Sequence, residues 1–151
     1  MKLITLIGTR PELIKLSCVI AELDKYFEHT LVHSNQNYDR QLNQVFFEQM
    51  RIRTPDHFLS LDRASPMATI GSLLSEIDHL ITLIQPDAFL ILGDTNTALA
   101  ALAVKRRSVP IFHMEAGNRC FDDRVPEEIN RRVVDHLSDV NLPYSQIARQ
   151  Y

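Results

Sequence analysis

The run Ala88-Phe89-Leu90-Ile91-Leu92 is apolar at every position and is followed at once by Gly93-Asp94. A strand with one wet face alternates apolar and polar residues. A strand without alternation must be covered on both sides, which points to helices packed on both faces of a parallel sheet. The rest of the chain supplies the partners such a strand needs. Short apolar runs at 4–7, 30–33, 56–59, 109–114 and 140–142 alternate with helical patterns at 11–26, 39–50, 66–84, 95–107 and 127–137. In the first helix Leu13, Ile14, Leu16, Val19, Ile20 and Leu23 recur at helical spacing, and in the second Leu42, Val45 and Phe46 are expected to face inward. The longest helix opens on Ser65 as cap and Pro66 at its first position. It carries Met67, Ile70, Leu73, Leu74, Ile77, Leu80, Ile81 and Ile84 on one face and ends at Gln85-Pro86. Strand and helix in alternation give an α/β fold, a Rossmann-like doubly wound parallel sheet of about six strands. Residues 1–151 are expected to form one domain. A helix opening at Ser145 has one turn before Tyr151, so we expect a fragment, with a second domain beyond it.

Composition narrows the function classes. The 151 residues are 45% apolar and 23% charged with a formal charge of −3, which gives no electrostatic reason to bind nucleic acid or an anionic membrane. Lys105-Arg106-Arg107, the one basic run, falls where a helix ends and is expected to complement its dipole. No 18 consecutive residues are apolar, and the apolar run at 3–7 is too short for a signal peptide, so a cytoplasmic location is expected. Cys18 and Cys120 lack any Cys-x-x-Cys spacing and suggest neither a zinc site nor a disulfide framework. Four scattered glycines make neither the Gly-x-Gly-x-x-Gly fingerprint nor a phosphate loop of the NTPase kind.

In open parallel sheets ligands bind beyond the carboxyl ends of the strands. Gly8, Gly93 and Gly117 each fall just past an expected strand; Gly71 lies inside the longest helix and is expected to mark close packing. After the first strand come Gly8-Thr9-Arg10-Pro11-Glu12 and, on the next turn, Lys15. A helix start with two cations suits an anion, although Arg10 paired with Glu12 or with a surface carboxylate would account for the same residues. After the central strand comes Gly93-Asp94-Thr95-Asn96-Thr97, where Asp94 either serves chemistry or caps the next helix. His113-Met114-Glu115-Ala116-Gly117 follows the fifth strand and leads to Pro126-Glu127-Glu128-Ile129-Asn130-Arg131. Glu127 and Glu128 suit a helix N-terminus with or without a function. Taken together, three carboxylates (Asp94, Glu115, Glu127) and two cations (Arg10, Lys15) on one sheet edge suit proton transfer beside a bound phosphate ester.

These segments, with His33-Ser34-Asn35-Gln36-Asn37-Tyr38-Asp39 between them, resemble in order and spacing the non-hydrolysing UDP-N-acetylglucosamine 2-epimerase family over essentially the whole chain. The resemblance implies half of a two-domain, glycosyltransferase-B-like architecture whose C-terminal UDP-binding domain is absent from this chain, so the isolated chain is expected to be inactive. It implies a UDP-N-acetylhexosamine substrate, a homodimer, and no metal or redox cofactor. UDP is eliminated from C1 as the C2 proton is removed, leaving a 2-acetamidoglycal; UDP then adds back while a proton reaches the opposite face of C2. By motif position Asp94, Glu115 and Glu127 match the catalytic carboxylates, and Arg10 and Lys15 match residues near the diphosphate. Gly8, Thr9, Gly93, Thr95, Asn130 and Arg131 match supporting positions. Asn35 replaces a common glycine, tolerable in a left-handed conformation. The second histidine of that motif is missing, and with it the basis for expecting allosteric activation by UDP-N-acetylglucosamine. Asn118-Arg119-Cys120-Phe121-Asp122 resembles the branch acting on N-acetyl-L-fucosamine precursors or UDP-2,3-diacetamido-glucuronic acid, in bacterial capsule or O-antigen synthesis. A half-domain of a UDP-sugar glycosyltransferase and a non-catalytic sugar-nucleotide binding module remain as alternatives.

Overall fold

Six strands hydrogen-bond side by side, every pair parallel, in a computed structural model that describes residues 1–35, 45 and 47–151. They are β1 (Lys2–Ile7), β2 (Glu28–His33), β3 (His57–Phe58), β4 (Ala88–Leu92), β5 (Ile111–Met114) and β6 (Val140–Leu142). Their order is β3-β2-β1-β4-β5-β6, so the chain starts at the centre, builds outward, and crosses back to lay β4 against β1. This is the Rossmann-like sheet expected, with its switch point between β1 and β4. Register places Leu92 opposite Met114 and Met114 opposite Leu142, so the segments carrying Asp94 and Glu115 leave adjacent strand ends.

Helix α1 (Arg10–Tyr26) covers one face: Leu13, Leu16 and Ile20 pack on Leu3, Ile7, Leu31 and Leu90. On the other face α2 (Pro66–Ile84), α3 (Ala101–Arg106) and α4 (Pro126–Leu137) bury Leu73, Ile77, Val104 and Val134 against Ile4, Leu6, Phe89 and Ile91. Each such side chain contributes about 1.5–3 kcal/mol when fully buried. All five residues of β4 are buried, as its unbroken apolar run requires.

Several expectations need correction. The helix expected over 95–107 opens as a 3-10 turn, Asn96–Ala100, and becomes α-helical only in α3, the tighter winding common at a helix start. Ile14 is half-exposed and Met67 is exposed, so the apolar stripes of α1 and α2 are narrower than their patterns. In the helix expected over 39–50, Leu42 and Phe46 lie outside the described residues, while Val45 is exposed, not inward. At Ser145 the chain forms the 3-10 turn Ala148–Gln150, with Ser145 Oγ accepting from the Ala148 N–H at 3.1 Å. The basic run does close a helix as expected, with Lys105 and Arg106 in its last turn, and Lys105 and Arg107 also form ion pairs with Asp139 and Asp78. By length and composition α2 is long and apolar enough to cross a membrane; one face of it, Leu73, Ile77, Leu80 and Ile81, is buried in the core beneath the sheet.

Gly71 is not a packing site: a Cβ there would meet nothing within 4 Å. A glycine in an unobstructed helix interior costs about 0.5–1 kcal/mol relative to alanine. Gly71→Ala is therefore expected to raise stability by that amount, read as a higher denaturation midpoint; a lower midpoint would show that the position is packed after all.

Candidate active site at the carboxyl edge of the sheet

Glu115, immediately after β5, has φ +65°, a left-handed conformation that an L-residue with a Cβ reaches only at a cost of about 1–2 kcal/mol. That strain aims the carboxylate back over the sheet edge. Its Oε2 lies 4.0 Å from where a Cβ on Gly93 would stand, an ordinary contact, so what Gly93 supplies there is its left-handed φ of +77°. Lys15 reaches across from α1 and pairs with Oε2 at 2.5 Å, and Asn118 Nδ2 lies 3.4 Å from Oε1. Lys15 is 41% exposed, and a pair that wet adds only about 0–1 kcal/mol to stability. Its consequence is orientation: a carboxylate and an ammonium are held together where an anionic ligand would meet them.

Asp94 does not cap the following turn. Its Oδ2 is gripped by Arg131 of α4, through Nη2 at 2.5 Å and Nε at 2.9 Å. Asn130 adds a hydrogen bond from Nδ2 to the Asp94 carbonyl at 2.9 Å, so α4 clamps both side chain and backbone of the loop after β4. Burial works against the charge of Arg131, but the Asp94 and Glu128 carboxylates outweigh it and raise its pKa. Glu127 is exposed in the first turn of α4, and Arg10, partly exposed, is the first residue of α1. Asp94 and Glu115, with Arg131 and Lys15, are thus brought to one edge, with Glu127 on the helix that holds Asp94. A cavity of about 430 Å³ opens beside this edge, lined by Asn35, Leu61, Arg63, Ser65, Thr69 and Asn96. Asn35 has φ +55°, the left-handed position for which asparagine is suited. Residues 36–39 of its motif lie outside the described residues.

The loop after β1 differs from the expectation of free backbone donors. Glu12, buried in the first turn of α1, accepts the Gly8 N–H at 2.6 Å and the Thr9 N–H at 3.2 Å on Oε2 and the Thr95 hydroxyl at 2.9 Å on Oε1. It thereby ties the loops after β1 and β4 together and occupies donors that an anion would otherwise use. Burial raises its pKa despite these three hydrogen bonds. With the folded pKa above the unfolded one, the folded state holds the proton more tightly, so stability falls as pH rises through that interval. Glu12→Gln keeps an oxygen for the two N–H groups and lets its amide donate to Thr95. Its stability relative to the parent is expected to improve between acid and neutral pH. Denaturation midpoints at a series of pH values measure this, and a variant that loses stability relative to the parent as pH rises would refute it.

Three structural partners escaped the sequence reading. His113 is fully buried, with Nε2 against the Gly93 carbonyl at 2.8 Å and Nδ1 2.9 Å from Asp135 Oδ1, close but poorly angled for a hydrogen bond. Asp135 also accepts from the Gly117 N–H and from Arg119, which with His113 hold its pKa below the usual range although burial opposes this. Glu128, beside the expected Glu127, has a side chain with no exposed surface. It accepts from the Cys120 N–H, Arg131 and Arg132, and chiefly the Cys120 contact, resisted by burial, brings its pKa down to about 2. Its spacing to Arg131 and Arg132, three and four residues along a helix, was the readable signal.

Comparison with known proteins bears on this edge. The sequence model of a family described as UDP-N-acetylglucosamine 2-epimerase matches residues 21–151. A Pseudomonas aeruginosa protein named UDP-2,3-diacetamido-2,3-dideoxy-D-glucuronate 2-epimerase is 41% identical over 151 residues, covering 98% of this chain and 43% of the relative. Among solved structures, a UDP-N-acetylglucosamine 2-epimerase from Rickettsia bellii superposes with a TM-score of 0.93 at 56% identity, over 100% of this chain and 40% of that one. The Methanocaldococcus jannaschii UDP-GlcNAc 2-epimerase, solved with UDP-GlcNAc and UDP, gives 0.94 at 36% identity over 99% of this chain and 42% of that one. This chain therefore spans about two fifths of the length of these relatives.

Proposed function

Because this chain belongs to the UDP-N-acetylglucosamine 2-epimerase family, we propose that it supplies the N-terminal domain of a two-domain UDP-N-acetylhexosamine 2-epimerase, with a C-terminal UDP-binding domain completing the cleft. The observation that carries this reading is the placement of Asp94 and Glu115 beyond adjacent strand ends, each carboxylate held by a cation from another element. A C2–H beside the anomeric carbon is hardly acidic until the C1–O bond stretches. The reaction therefore needs a carboxylate at C2 and positive charge at the leaving diphosphate together. One carboxylate removes the C2 proton, the C1–O electrons leave with UDP, and a C1=C2 double bond forms. Re-addition of UDP with protonation from the opposite face gives the epimer. Glu115, Asp94 and Glu127 are the carboxylates for these transfers, and Lys15 and Arg10 lie toward the diphosphate.

The substrate class is a UDP-2-acetamido sugar modified elsewhere on the ring. The Asn118–Asp122 stretch supports this, as does the name of the Pseudomonas aeruginosa relative, which specifies a 2,3-diacetamido-glucuronate. The product then feeds bacterial capsule or O-antigen synthesis in the cytoplasm, and the protein works as a homodimer. The test is C2 proton exchange in deuterated water, followed by NMR, for a panel of UDP-2-acetamido sugars with the two-domain protein and with residues 1–151 alone. Exchange by the longer protein only is expected. No exchange by the folded two-domain protein with any of these sugars would overturn the assignment and favour a UDP-sugar transferase.

A further inference from the structure

A buried carboxylate is costly unless its lone pairs are used, and breaking such a set by removing one partner is far more damaging than never having built it. Glu128 uses its lone pairs on the site. One oxygen takes the Cys120 N–H at 2.8 Å and Arg131 Nη1 at 3.0 Å; the other takes Arg132 Nη2 at 2.8 Å. The Cys120 bond joins the 115–125 loop, which begins with Glu115, to the first turn of α4, which carries Glu127. The Arg131 bond secures one side of a guanidinium whose Nε and Nη2 grip Asp94 Oδ2. Arg131 is 15% exposed and Asp94 27%, so the two meet at the wall of the site, with Glu128 behind them.

Resting on the epimerase reading above, we propose that Glu128 is the positioning residue of the proton-transfer site, orienting Asp94 through Arg131 and fixing the first turn that presents Glu127. It touches no substrate. Its effect is geometric, since reacting carboxylates must be held within about 0.5 Å of their working positions. A carboxylate placed only to favour the helix dipole would need neither the Cys120 N–H nor the Arg131 contact.

Two substitutions in the two-domain protein separate the roles. Glu128→Gln can keep its oxygen on the Cys120 and Arg131 side and lose mainly Arg132; C2 exchange is expected within about threefold of the parent. Glu128→Met removes every acceptor, and kcat per folded molecule is expected to fall about 10- to 100-fold with KM little changed. Arg131→Lys keeps the charge but offers one nitrogen in place of the separate Nη1 and Nε/Nη2 that meet Glu128 and Asp94, so it should reproduce that loss even if the methionine variant folds poorly. The double substitution should then be no worse than the poorer single one. Arg132→Gln, which leaves the grip on Asp94 intact, should exchange at the parental rate. A methionine variant with full kcat, or losses that simply multiply, overturns the proposal. A crystal structure of the methionine variant decides independently of turnover: Asp94 displaced from Arg131 supports the relay, and Asp94 unmoved refutes it. A parent protein that exchanges nothing would sink the epimerase reading, and the crystal structure would still judge Glu128.

Discussion

Glu115→Gln in the two-domain protein is expected to slow C2 proton exchange by about 10²- to 10⁴-fold while KM for the UDP sugar changes little. The substitution preserves shape. The backbone at φ +65° is unchanged, and the amide oxygen can still accept from Lys15. What is lost is the capacity to take a proton, so the expected effect lies in the chemical step and not in binding. The strained conformation supports giving Glu115 this weight, because a non-glycine residue held left-handed costs free energy that the fold recovers elsewhere. The surrounding contacts show where: Gly117 N–H and His113, on either side of Glu115, both engage Asp135. Exchange undiminished in a folded Glu115→Gln protein would remove Glu115 from the proton path. If epimerisation were then also intact, both proton transfers would fall to Asp94 and Glu127.

The central strand, the order of alternation and the ends of α2 were legible because each rests on local rules. An unbroken apolar run needs two covered faces, serine followed by proline starts a helix, and Gln85-Pro86 ends one, with Gln85 taking the left-handed cap position. Carboxylates after strand ends were legible for the same reason, since in a parallel sheet strand polarity alone decides where they emerge. What the sequence concealed depends on contacts between distant segments. Asp94 read equally well as a helix cap, and only its distance from Arg131, 37 residues on, decides the matter. Glu12 entered the reading only as one candidate partner for Arg10, and nothing local announced that it accepts two backbone N–H groups and the hydroxyl of Thr95, 83 residues away. Glu128 was masked by Glu127: both are acidic in the first turn of α4, and only the rotation of the helix says which one is buried. Glycines divided in the same way. Gly93 and Gly117 have positive φ, consistent with turns after strands, whereas Gly71 has no steric reason the structure reveals.

Gly117→Ala is expected to be the most damaging single-methyl change in the chain, lowering stability by about 2–5 kcal/mol. Two independent costs act there. Gly117 has φ +78°, where a Cβ is disfavoured, and that Cβ would stand 2.0 Å from the Ala148 carbonyl oxygen and 2.8 Å from its carbon. Those atoms are backbone of the turn at Ala148–Gln150, so no rotamer change relieves the overlap; either that turn or the loop after β5 must move. Movement of the loop would break the Gly117 N–H bond to Asp135 and release the segment that holds Glu115 over the sheet edge. Gly8 makes a useful comparison, because a Cβ there would meet the Thr97 and Ser34 hydroxyls at 2.2 and 2.4 Å, which belong to short side chains and not to backbone. Denaturant unfolding of the three alanine variants on one protein should give a rise for Gly71 and a fall for Gly8, with the largest fall at Gly117. Unfolding of Gly117→Ala at the parental midpoint, with an unchanged slope, would mean that the loop after β5 does not press on Ala148. The strain at Glu115 would then have to be held by Asp135 and His113 alone.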